Sequence, residues 1–147
     1  MPSERDRYRQ RLTALAAPEL RAGEHIVALL PFATVPKLPK GPRGRKNKVR
    51  FGIRQSWRRY RPLVVTDRRL LVFDSGRTPH PRELLDAVPV GEVTISAVTP
   101  GRWGTSMFEL TLPGTGAVPF ETGRREVDDL AVLQQCTSRS RPQTAAQ

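Results

Sequence analysis

The strongest constraint on the fold is the stretch PLVVTDRRLLVFD at 62–74, where two apolar runs rich in β-branched residues flank the polar Thr66-Asp67-Arg68-Arg69. Runs of this length suit strands, and Asp67 with its polar neighbours suits a tight turn, so the segment is read as a β-hairpin. Fourteen prolines and eleven glycines in 147 residues argue for further strands and turns and against a helical bundle. A chain of this length is expected to form one domain that buries about two thirds of its unfolded surface.

Other strands follow from pattern. Residues 25–35, HIVALLPFATV, are aliphatic and interrupted by Pro31, which predicts a first strand with an edge or bulge position. Residues 84–89 read as a short strand ended by Pro89 and Gly91. Val93, Ile95 and Ala97 alternate with polar residues, the period of two expected of a strand with one wet face. Residues 106–112 and 117–121 are separated by Pro113-Gly114-Thr115-Gly116, a turn signal for a second hairpin. Seven strands result. Helices are expected at both ends. At 3–17, Ser3 is the N-cap, Tyr8, Leu12, Leu15 and Ala16 share a face, and Pro18 is the stop. Its thin apolar face favours docking on the domain over insertion into a membrane. A second helix begins after Thr122-Gly123, runs to about Cys136 and packs over the sheet, and 137–147 form a disordered tail. The resulting organisation is an amphipathic helix at 1–20, a β domain at 21–136 with a basic insert at 37–61, and the tail.

The insert holds the whole charge imbalance. The net charge is +11, and 37–61 carries eleven Lys or Arg and no acid, leaving fourteen basic and fourteen acidic residues elsewhere. Phe51, Ile53, Trp57 and Tyr60 are interleaved with the basic residues. A purely solubilising loop has no need of such groups, although some could be the start of the next strand. On a membrane the cations would meet lipid phosphates while Trp57 and Tyr60 settle among headgroups; on nucleic acid they would pair with phosphates and stack on bases; an acidic protein surface is a third partner. The candidate anion- and lipid-binding residues are Lys40, Arg43, Arg45, Lys46, Lys48, Arg50, Arg54, Trp57, Arg58, Arg59, Tyr60 and Arg61.

The order of these elements resembles the bacterial pleckstrin-homology-like domains, relatives of the GRAM fold. The resemblance spans about Glu24 to Gln135 and is carried by LVVTDRRLLVF at 63–73, VPVGEV at 88–93, FELTL at 108–112 and the final helix. It implies a mainly β fold: a partly open seven-stranded barrel or roll capped by a C-terminal helix. It also implies a binding or scaffolding role, with the loop between the first two strands gripping phosphorylated headgroups. In that family a Lys precedes a basic-x-Arg triplet, and Lys40 with Lys48-Val49-Arg50 fits. The insert is longer than a compact headgroup loop, which favours diffuse electrostatic binding over a shaped pocket.

Catalysis has little to work with. Gly41-Pro42-Arg43-Gly44-Arg45-Lys46 lacks the spacing and the Lys-Ser/Thr pair of a phosphate-binding loop, and the Ser106 region, preceded by Gly101-Arg102-Trp103-Gly104, lacks a nucleophile elbow and reads as a turn. His25 and His80 are far apart, and Cys136 is the only cysteine, which excludes an internal disulfide. The expectation is therefore a non-enzymatic module with no cofactor, metal or small-molecule substrate. Its expected partner is an anionic phospholipid surface, with an acidic protein surface or nucleic acid as the alternatives. No apolar run reaches the roughly eighteen residues of a membrane span, and the first residues are charged rather than apolar like a signal peptide. The expected location is the cytoplasm, extending to peripheral attachment at the inner membrane face.

Overall fold

The structure is a computed structural model, and it describes residues 3–35, 59–75 and 80–140. Among the described residues, ten short strands form two antiparallel sheets: β1 (Ile26–Leu30), β2 (Thr34–Val35), β3 (Arg59–Tyr60), β4 (Leu63–Thr66), β5 (Arg69–Phe73), β6 (Leu84–Pro89), β7 (Thr94–Ile95), β8 (Thr99–Pro100), β9 (Ser106–Leu112) and β10 (Gly116–Thr122). The first sheet has the order β1-β4-β5-β6; the second has β3-β2-β10-β9-β7, with β8 also on β9. Where two segments continue one another from sheet to sheet, as β1 into β2 and β3 into β4, they make one bent run, and β7 and β8, which both pair with β9 in the second sheet, count as one interrupted strand. Counted that way there are seven strands, and the sheets do not close.

The expected hairpin is β4–β5, paired Leu63↔Val72, Val64↔Leu71 and Val65↔Leu70. Every residue of both strands is buried, which explains why they read as unbroken apolar runs rather than alternating ones. Ala28, Leu30, Leu63, Val65, Leu70 and Val72 face the second sheet, where Phe108, Leu110, Leu112 and Phe120 meet them. Phe108 and Phe120 stack at 5.9 Å across the β9–β10 pair. The opposite face of the first sheet presents Leu29, Val64, Leu71 and Phe73.

That second face is covered by α1 (Glu4–Ala16), whose Leu12 and Ala16 are fully buried against it. The helix packs on the domain through the thin stripe visible in its sequence. Its start is a capping box: Ser3 Oγ accepts from the Asp6 N–H at 3.1 Å, and the Ser3 N–H donates to Asp6 Oδ2 at 3.3 Å. Because one side-chain cap satisfies amides that the helix itself cannot, Ser3→Ala is expected to cost about 1 kcal/mol. Urea unfolding of the pair of proteins measures it.

The C-terminal helix α2 (Val127–Ser140) closes the open end of the roll, placing Leu130 and Leu133 in the inter-sheet core. It corrects the expected tail boundary. Thr137 is 1% exposed, and its hydroxyl bonds back to the Leu133 carbonyl at 3.2 Å. Threonine thus continues the buried stripe one turn beyond Cys136. The strand expected at 93–97 is also shorter, being limited to β7 because only Thr94 and Ile95 find partners on β9.

The turn of the first hairpin explains the motif TDRR. Thr66 Oγ1 accepts from the N–H groups of Arg68 and Arg69 at 3.0 and 2.8 Å and donates to Glu24 Oε2 at 2.6 Å. Asp67 exchanges two hydrogen bonds with the His25 backbone, one through Oδ1 and one through its own N–H, each 3.0 Å. Arg69 then grips Glu24 with both ends of its guanidinium, Nε to Oε2 at 2.9 Å and Nη2 to Oε1 at 2.7 Å. The turn is thereby locked to the residues that lead into β1.

Candidate functional site

The basic segment is rooted by β2 and β3. These two strands pair Thr34↔Tyr60 and Val35↔Arg59, so the two described residues that bracket the segment, Val35 and Arg59, stand directly opposite each other. Below the pair, the Arg61 N–H bonds to the Ala33 carbonyl at 2.8 Å. Of the twelve candidate residues, only Arg59, Tyr60 and Arg61 are among those described; Lys40, Arg43, Arg45, Lys46, Lys48, Arg50, Arg54, Trp57 and Arg58 lie outside the described residues.

The three described residues differ in environment. Arg59 is exposed. Tyr60 is half-buried against the body of the domain. Arg61 donates to Asp74 Oδ1 at 2.8 Å, in an ion pair at which both side chains are 23% exposed. Asp74 sits at the end of β5, so the charge of Arg61 is compensated within the hairpin. Arg61 works mainly to hold the root in place, and only its residual field reaches outward.

Two clefts flank this root. One, of about 540 Å³, lies where the N-terminus of α1 meets the residues leading into α2, and includes Arg5, Tyr8, Phe32, Tyr60, Arg124 and Glu126 among its walls. Tyr8 and Phe32 meet edge to face at 5.3 Å. Arg5 bridges the two helices, donating through Nη2 to the Arg125 carbonyl at 2.8 Å, while Arg9 pairs with Asp129 at 2.8 Å. The other cleft, of about 390 Å³, is more apolar and opens between β6 and the β9–β10 pair, with Val35, Arg61, Leu85, Leu112, Val118 and Phe120 around it. Tyr60 lines the first cleft and Val35 with Arg61 the second, so the paired strands of the root lie between them.

Glu126 is the unusual group in the first cleft. It is 1% exposed. Its Oε2 accepts from the Phe32 N–H at 3.0 Å, whereas Oε1 has no partner among the described residues, and neither has Arg5 Nε nearby in the same wall. Burial disfavours the carboxylate and raises its pKa to about 7 from 4.5, against the lowering effect of hydrogen bonds from the backbone and of Arg5. The cleft therefore presents arginines at its rim and a carboxyl that stays largely protonated into the neutral range. That combination tolerates an anion better than a cation.

Neither histidine joins a catalytic set among the described residues. His25 faces Asp67 at 3.7 Å while 69% exposed, and His80 lies against Tyr8 and Arg11 of α1. No group of three or more metal-type side chains comes together among the described residues, and none of their helices is long and apolar enough to cross a membrane.

No family model and no curated protein matches the chain. Solved structures do. The chain is similar to a DUF1696 family protein with a pleckstrin-homology domain from Shewanella loihica PV-4, with a TM-score of 0.51 and 13% identity, covering 88% of this chain and 90% of that one. It is also similar to a pleckstrin homology domain from Shewanella amazonensis SB2B, with a TM-score of 0.44 and 15% identity over 88% and 94% of the two chains. In architecture the protein has a pleckstrin-homology-like fold. The basic segment falls between the first two strand runs, with 23 residues of sequence between Val35 and Arg59.

Proposed function

We propose that the domain is a non-enzymatic binding module that associates with anionic lipid surfaces through the basic segment 37–61. The observation that carries this reading is the root. An acid-free stretch with eleven cations is anchored at both ends on one sheet edge, beside a cleft whose rim includes Arg5, Arg124 and Arg125. Cations so placed act together on a surface, at about 1 kcal/mol for each one near anionic headgroups. The length of the segment in sequence suits an extended charged plane better than one small ligand.

The test is flotation with vesicles of phosphatidylcholine and phosphatidylglycerol at physiological salt. Lys46→Ser, Lys48→Ser, Arg50→Ser and Arg58→Ser combined spare Arg61 and its ion pair with Asp74. Loss of four cations is expected to lower partitioning by several hundred-fold, from about 4 kcal/mol in all. Unchanged flotation of the quadruple variant would overturn the reading. Removal of the wild-type protein from vesicles by excess duplex oligonucleotide would assign the segment to nucleic acid instead.

A further inference from the structure

The turn joining β8 to β9 carries an indole that the fold does not use. Trp103 is 86% exposed, and its backbone stands at φ 59° and ψ 28°. Among the described residues it is the only one other than glycine at positive φ. The left-handed conformation costs a bulky L-residue about 1–2 kcal/mol, and an exposed indole recovers none of that by packing. A self-contained turn would be more stable with glycine or asparagine there. The strain thus points to a use for the side chain outside the domain.

The turn is firmly held. The Gly101 N–H bonds to the Thr105 carbonyl at 2.9 Å, closing the loop, and Thr105 Oγ1 donates to Glu121 Oε2 at 2.5 Å. Gly104, at φ 80°, lets the Arg124 side chain run close beside it: a Cβ there would stand 2.9 Å from Arg124 Cδ. Arg124 in turn lines the cleft shared with Tyr60. Glu121 is the β10 partner of Thr34, and Thr34 is the β2 partner of Tyr60. The base of the turn is therefore two strand spacings, about 10 Å, from the root of the basic segment.

We infer that Trp103 is a second membrane contact, inserting its indole at the headgroup level of an anionic bilayer while the exposed Arg124 and Arg125 beside it meet lipid phosphates. A bilayer fits this pairing of groups. Tryptophan settles at the boundary between hydrocarbon and water, where its apolar rings and its N–H are both accommodated. A rigid turn presents it without the entropy loss that a mobile side chain would suffer. The inference rests on the lipid-surface reading of the basic segment and adds to it the orientation of the domain, with the β8–β9 turn and the segment root facing the same membrane.

Trp57 and Trp103 are the only tryptophans, so Trp57→Phe leaves Trp103 as the sole indole reporter. On adding anionic vesicles, its emission is expected to shift to the blue and its quenching by iodide to fall. Trp103→Gly in the otherwise wild-type chain is expected to lower vesicle partitioning about tenfold, for loss of one interfacial aromatic, while thermal stability stays the same or rises because the strain is relieved. If Trp57→Phe floats with vesicles yet Trp103 remains open to iodide, the second contact is wrong and the basic segment binds alone. The second contact is equally overturned if Trp103→Gly partitions like wild type. Failure of the wild-type protein to float would overturn both readings.

Discussion

Arg69→Met is expected to lower the unfolding free energy by about 4 kcal/mol at pH 7, because it strands the Glu24 carboxylate, whose side chain is 0% exposed, without its counter-ion. The effect should exceed that of an ordinary surface ion pair by severalfold. Glu24 receives both ends of the guanidinium, the Thr66 hydroxyl and the Arg21 N–H at 2.9 Å, and each of these bonds favours the ionised form. The hydrogen bond from Arg69 is the largest influence, and the carboxyl is held at about 2 against an ordinary 4.5, although burial opposes the change. A lowered pKa in the folded state means that unfolding takes up protons between those two values. The contribution is complete above about pH 4.5 and is lost as pH falls toward 2. Glu24→Gln removes the carboxyl, so its unfolding free energy should vary less over that interval than the wild type's. Urea titrations from pH 7 to pH 2.5 on wild type, Arg69→Met and Glu24→Gln measure both expectations. A loss below 1 kcal/mol for Arg69→Met would show that solvent reaches the pair.

The same turn shows what could be read from the chain. Its apolar flanks and polar centre declare a hairpin, because strand burial and turn chemistry are local properties. Ser3 as a cap and the second hairpin at β9–β10 were equally legible, whereas Pro31, expected at an edge or bulge position of one strand, lies in the turn that separates β1 from β2. Glu24 was not, since its partner is 45 residues away and only the fold brings them together. Thr137 was misread because a hydroxyl that bonds to its own helix can occupy an apolar position, and sequence pattern counts it as polar. At the site, the run of cations announced itself by composition, and the structure adds the paired strands that root it. The neighbouring cleft left no signature, because Arg5 and Arg125 lie 120 residues apart. Trp103 was visible only as an aromatic in a glycine-bounded turn, and neither its exposure nor its strain follows from that pattern.

Glu126→Gln is expected to stabilise the protein at pH 8 by about 2–3 kcal/mol while changing it little at pH 4.5. The sign is opposite to that of Glu24. Burial raises the Glu126 carboxyl to about 7 in the folded state, so between 4.5 and 7 the unfolded chain gives up a proton that the folded one retains. Unfolding releases that proton, and stability falls as pH rises through the interval. Glutamine carries no charge at either pH and keeps an oxygen for the Phe32 N–H. The groups facing Glu126 are Arg5, Glu4 and Tyr8 from α1, Tyr60 from β3, and Arg124, Arg125 and Asp129 around the start of α2. None of these removes the burial penalty, which is the largest of the causes. Taken with Glu24, this places the maximum of the two contributions together near pH 4.5–5, where Glu24 is still largely ionised and Glu126 still protonated. Thermal unfolding of wild type and Glu126→Gln from pH 4.5 to 8.5 tests it, with the two curves meeting at the acidic end and separating toward the basic one. Parallel curves would mean that the carboxyl ionises normally and that Oε1 finds a partner in solution.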